Sequence, residues 1–108
     1  MTTLSALNGK EFYIKDLSWR LLSDFVLDHC RNVIKEDEKQ EWQEGYGKII
    51  SQETAVAIAN RLECLIQEGI VERFQIELEL GNLGSHFSEN DVRKFIQFSR
   101  HSGGFDIW

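Results

Sequence analysis

RFQIELEL, residues Arg73–Leu80, is the stretch on which the fold turns. Phe74, Ile76, Leu78 and Leu80 alternate with Gln75, Glu77 and Glu79. Strict alternation is the period of a strand with one dry face and one wet face. So read, the segment is a strand whose wet face is acidic, with Glu77 and Glu79 on it. Glutamate is a poor strand former, so pattern and propensity pull apart here.

The flanks carry a different period. Before it, Ala55, Ile58, Ala59, Leu62, Leu65 and Ile66 recur in steps of three and four. That is the stripe of an amphipathic helix over about Gln52–Glu68. Ser51 is placed to cap it, and Gly69 to end it. After it, Gly81–Phe87 reads as a polar loop, and Ser88 opens another helix with Glu89 and Asp91 in its first turn. Val92, Phe95, Ile96 and Ser99 form the inward side, and Gly103-Gly104 stops the helix. Phe105–Trp108 alternates again, as a short terminal strand.

Farther out, Gly9–Lys15 contains Phe12, Tyr13 and Ile14 and reads as a short strand or an extended lead-in. Asp16 is placed to cap a helix over about Leu17–Lys35, with Leu22, Phe25, Val26, Cys30, Val33 and Ile34 as its stripe. Lys35–Glu44 reads as a charged helix end followed by a loop and Gly45-Tyr46-Gly47 as a turn, after which Ile49 and Ile50 return to the core. The fold class expected is helix-dominated α+β. It has about three main helices, a small β component and a single domain over residues 1–108.

Apolar residues make up 42% and charged residues 28%, the balance of a folded domain rather than a disordered chain. The formal charge is -6. It disfavours nucleic acid and anionic membranes and favours basic partners. The charge is localised: Glu63, Glu68, Glu72, Glu77, Glu79, Glu89 and Asp91 share their stretch with one base, Arg73, while the rest of the chain balances 11 acids against 11 bases. Such a stretch is either a solvated face or a surface that steers a cationic partner. No apolar run approaches the ~20 residues of a membrane span, and no basic-then-apolar leader opens the chain. The expected location is the cytoplasm, where Cys30 and Cys64 would be free thiols.

No motif states a reaction. Cys30 lies on an apolar stripe, and Cys64 lies off one with no base nearby in sequence to activate it. His29, His86 and His101 are far apart, without metal-ligand spacing. Gly45-Tyr46-Gly47-Lys48 lacks the spacing of a phosphate loop. No catalytic, cofactor or metal residues are therefore assigned, and no enzyme is expected. The candidate residues are partner-binding: Glu72, Glu77 and Glu79 in the acidic stretch, with Trp42, Glu44 and Tyr46 around the charged loop. Trp42 and Trp108 are natural interface anchors if exposed, and core residues if packed.

Three blocks of the second half carry a resemblance: Phe87-Ser88-Glu89-Asn90-Asp91-Val92, Phe95-Ile96-Gln97-Phe98 and Ser102-Gly103-Gly104-Phe105-Asp106-Ile107. The first half adds Trp42 with Gly45-Tyr46-Gly47, and a helix containing Ala59 and Leu62. The pattern resembles immunity proteins of bacterial polymorphic-toxin and contact-dependent inhibition systems. That resemblance implies a small cytoplasmic protein without catalysis that neutralises a cognate toxin, in many cases a nuclease with a basic groove. An acidic patch would then occupy that groove or bind beside it. A small adaptor or regulatory subunit is the second reading, and an enzyme using Cys64 or an acid pair the third. The oligomeric state stays open.

Overall fold

The computed structural model describes residues 1–44 and 47–108, with every side chain among them except that of Glu36. Strand β1 (Thr2–Ala6) turns into β2 (Glu11–Ile14), and helix α1 follows (Asp16–His29). A short 3-10 turn (Glu36–Glu38) leads into α2 (Lys39–Glu44), then β3 (Lys48–Ser51) and α3 (Gln52–Gln67). Helix α4 (Ile70–Leu80), a 3-10 turn (Gly84–His86), α5 (Glu89–His101) and β4 (Gly104–Ile107) complete the chain. The α+β class stands, with five α-helices among the described residues rather than about three.

The strands form one antiparallel sheet in the order β2-β1-β4-β3, so the first and last strands of the chain are its two central ones. Leu4 is opposite both Phe12 and Ile107, and Ile50 is opposite Phe105. Opposed residues share a face. These five positions, with Ile14, make the inner face, on which the helices lie. Phe12 meets Phe95 and Phe98 of α5, while Phe105 meets Trp42, Phe95 and Phe98. Ala55 and Ala59 are fully buried, which lets α3 and α5 approach closely, and the Ser99 hydroxyl donates to the Ala55 carbonyl at 2.7 Å.

The principal correction concerns Arg73–Leu80, which is the last three-quarters of α4 and not a strand. Its alternation is a coincidence of two periods. Val71, Phe74 and Leu78 pack against the core and Gln75 is half-buried, which is the i, i+3, i+4, i+7 set of a helix. The same backbone leaves Ile76 and Leu80 outside. Glutamate favours a helix over a strand, so propensity outweighed the apparent period. Gly69 makes the join: at φ 77° it ends α3 and directly precedes α4.

Four further expectations change. Residues 36–44 are helical rather than a loop, with Trp42 providing the buried side of α2. Helix α1 ends at His29, and Cys30 accepts from the amides of Val33 and Ile34 in the turn beyond it. Lys15 holds the capping position of α1, and Asp16 is its first helical residue. Ile50 enters the core but Ile49 faces out, because β3 alternates. Ser51 and Ser88 cap α3 and α5 as read, accepting from the amides of Thr54 and Asp91.

Candidate functional site

Large exposed apolar side chains gather in two places. The first is the outer side of α4. Ile76 (50% exposed) and Leu80 (83% exposed) are four residues apart and so share one side of the helix. Leu83, in the turn beyond, is 37% exposed, and its amide donates back to the Leu78 carbonyl at 2.8 Å. Glu72 and Glu79, seven residues apart, lie within ~20° of each other on one flank of this ridge. Glu77 lies on the other flank, ~160° from Glu79. The shared face expected for Glu77 and Glu79 is thus replaced by carboxylates on both sides of an apolar ridge.

All three carboxylates are exposed, and none makes an ion pair among the described residues. Glu79 accepts from the Gln75 amide at 3.5 Å, while the Gln75 carbonyl oxygen accepts from the Glu89 backbone amide at 3.2 Å and ties α4 to the start of α5. Gly84 returns the chain so closely that a Cβ there would meet the Glu79 Cα at 2.9 Å. The inner side of α4 is held by Val71 and by Phe74, whose ring lies 5.0 Å from that of Phe25 and 4.8 Å from that of Phe87. Beside Glu77, a cleft of about 280 Å³ opens over Phe25 and Phe74, rimmed by Asp28, His29, Arg73 and Glu77.

The second place is the outer face of the sheet. Thr3 is opposite Tyr13, Ser5 is opposite Glu11 and Asp106, and Asp106 is opposite Ile49. Trp108 continues β4, its amide donating to the Thr3 carbonyl at 2.8 Å. Tyr13 is 61%, Ile49 77% and Trp108 63% exposed. The Trp108 ring is seated over Gly47, where a Cβ would meet its Cη2 at 2.8 Å; Gly47 also holds φ 80°. Past Trp108 a cleft of about 590 Å³ is lined by Trp19, Arg20, Gln43 and Glu44, among others. Glu44 therefore belongs to the sheet end of the molecule, away from the acids of α4.

Trp42 is not a surface anchor. It is fully buried, stacked on Trp19 at 5.9 Å and edge-on to Phe105. Tyr46 lies outside the described residues. The blocks that carry the resemblance are largely core. Phe87, Val92, Phe95, Phe105 and Ile107 are buried, and Ser102 holds the turn into β4 by accepting from the Gly104 amide at 3.0 Å.

Cys30 is buried, which pushes its thiol up to about 11, with Arg61 opposing the shift. Cys64 is exposed on α3. Among the described residues no group of three or more His, Cys, Asp or Glu side chains converges as a metal site, and no helix is long and apolar enough to cross a membrane. No family model, curated protein or solved structure matches the chain.

Proposed function

We propose that the chain is a non-catalytic immunity protein that binds a basic toxin domain one to one and neutralises it. The observation that carries the reading is the outer side of α4: an apolar ridge, Ile76–Leu80, flanked by the unpaired carboxylates of Glu72, Glu77 and Glu79. Apolar side chains give a contact its lifetime, and the surrounding charge steers the encounter. A nuclease-type toxin must line its groove with bases to hold phosphates, so this surface complements it. The resemblance carried by Phe87–Val92 and Ser102–Ile107 supports the same reading.

The test begins with the gene's position, expected directly downstream of a large toxin gene. The C-terminal domain of that toxin should bind the chain in a 1:1 complex and lose activity. The triple variant Glu72→Lys, Glu77→Lys, Glu79→Lys should slow association at least about tenfold at low salt, with the deficit shrinking as salt rises. Stopped-flow mixing reads both. An unchanged association rate would remove α4 from the interface.

A further inference from the structure

The open face of the sheet is not used by the reading above. Its outward positions are Thr3 and Ser5 on β1, Glu11 and Tyr13 on β2, Asp106 and Trp108 on and just after β4, and Ile49 on β3. Exposed Leu7 and Met1 lie at the two ends of β1. Five of the nine large apolar residues exposed among the described residues thus sit on or around this one face. A sheet of this kind can leave one side to water, in which case its outward residues are polar. Here the outward corners are a tryptophan, a tyrosine and an isoleucine.

We propose that this face is a docking surface for a short segment of a second, different protein, one that presents apolar side chains to Trp108, Tyr13 and Ile49 and a lysine or arginine to Asp106 and Glu11. Three arguments select that occupant. The first is preorganisation. The platform is the back of β1 and β4, whose inner residues Leu4, Phe105 and Ile107 are locked in the core, so little order is lost on binding. Tryptophan and tyrosine are the side chains that most often dominate binding energy.

The second is charge. The outward strand positions hold two carboxylates and no basic side chain; Lys10 and Lys15 flank β2 at its ends, the Met1 ammonium beyond β1 is paired with Asp16 at 3.1 Å, and Arg20 lies in the neighbouring cleft beside Glu44. Glu11 accepts from the Tyr13 hydroxyl, which fixes that carboxylate on the face. A second copy of this chain would bring the same carboxylates together across a twofold axis, on a molecule already at -6. Nucleic acid and anionic membrane meet the same repulsion.

The third is size. Four strands ~4.8 Å apart and about five residues long cover roughly 300 Å² in projection. A standard interface takes about 800 Å² from each partner. The face therefore suits a segment of about ten residues, which as a helix is ~15 Å long and ~10 Å wide.

The test uses the full chain as bait for a phage-displayed library of random 12-residue peptides. Enriched peptides are expected to combine aliphatic or aromatic residues with lysine or arginine. A synthetic peptide of that sequence should shift the tryptophan emission, because Trp108 is exposed while Trp19 and Trp42 are buried. Trp108→Ser and the pair Glu11→Lys, Asp106→Lys should each weaken it at least tenfold, and Glu79→Lys should leave it unchanged. Tyr13→Ser gives a second variant should Trp108→Ser lose its circular-dichroism spectrum. Enriched peptides without bases, an empty selection, or binding indifferent to Trp108 and Tyr13 would each overturn the proposal. So would a dimer in sedimentation velocity that Trp108→Ser dissolves, or flotation with phosphatidylcholine vesicles; these assign the face to a second copy and to a lipid surface respectively.

Discussion

The outer side of α4 and the outer face of the sheet both display apolar side chains to water, yet they are built in opposite ways. The sheet face is the reverse of the best-packed part of the molecule: β1 and β4 are central strands with Leu4 and Ile107 fully buried behind them. Helix α4 has a single fully buried residue, Val71, and is otherwise held by half-buried Ile70, Phe74 and Leu78. The sheet presents few charges on a rigid base, and α4 presents many charges on a lightly held helix. The first arrangement suits slow dissociation through aromatic anchors, and the second suits fast, salt-sensitive encounter.

The hardest test of this contrast is a pair of tryptophans. Trp42→Ala removes a fully buried side chain that joins α1, α2 and β4 through Trp19 and Phe105, and should cost about 3–5 kcal/mol. Trp108→Ala removes a mostly exposed ring from the other side of the same sheet and should cost about 0.5 kcal/mol. Urea unfolding of the two variants reads the difference. Comparable losses would mean that Trp108 is a structural part of the sheet and not a free anchor.

A smaller effect tests the other region. Val71→Ala takes the one fully buried side chain of α4 and should cost ~1.5–3 kcal/mol at most. Hydrogen exchange should show the loss first in the α4 amides, with β1 and β4 still protected. Even in the unaltered protein α4 is expected to exchange faster than the central strands. Uniform loss of protection across the molecule would erase the distinction between a lightly held helix and a rigid sheet.

The same contrast separates what was legible in the sequence from what was not. Helices α3 and α5 were readable because their stripes are complete and their serine caps and glycine stops are in place. Strand β4 was readable because Gly103-Gly104 precedes clean alternation. Helix α4 was misread because its half-buried stripe is weak, and its two exposed apolar residues happen to complete an alternating pattern. Strand β1 gave no signal, since Thr3 and Ser5 face outward between Thr2, Leu4 and Ala6 in a run without bulky alternation. The sheet face was therefore invisible. Tyr13, Ile49 and Trp108 are far apart in sequence and come to share one face only once β1 and β4 stand between β2 and β3. Of the six candidate site residues, Glu72, Glu77 and Glu79 share α4, Glu44 joins the Trp108 cleft, and Trp42 is core.

The smallest expected effect lies at the edge of the sheet, where Ile49 is displayed. Its neighbour Lys48 points the other way, its ammonium 2.9 Å from Glu41 and 3.3 Å from Glu38, which ties β3 to α2 and the turn before it. The hydrogen bond to Glu41 leads in raising the Lys48 ammonium above its ordinary 10.5, against the desolvation that lowers it. The folded state thus holds this proton more tightly than the unfolded chain does. The resulting stability is full below pH 10.5 and is lost as pH rises through the folded value. Cys30 acts in a lower window, because a thiol raised from 9.0 to about 11 destabilises the fold as pH climbs between those values. Comparing Lys48→Met with its parent in a Cys30→Ala background isolates the lysine. The variant should lose under about 1 kcal/mol at pH 8, and its deficit should shrink above pH 10.5 as the parent sheds the same proton. A deficit that stays constant through that range would mean the aliphatic stem, and not the charge, holds the edge on which Ile49 is presented.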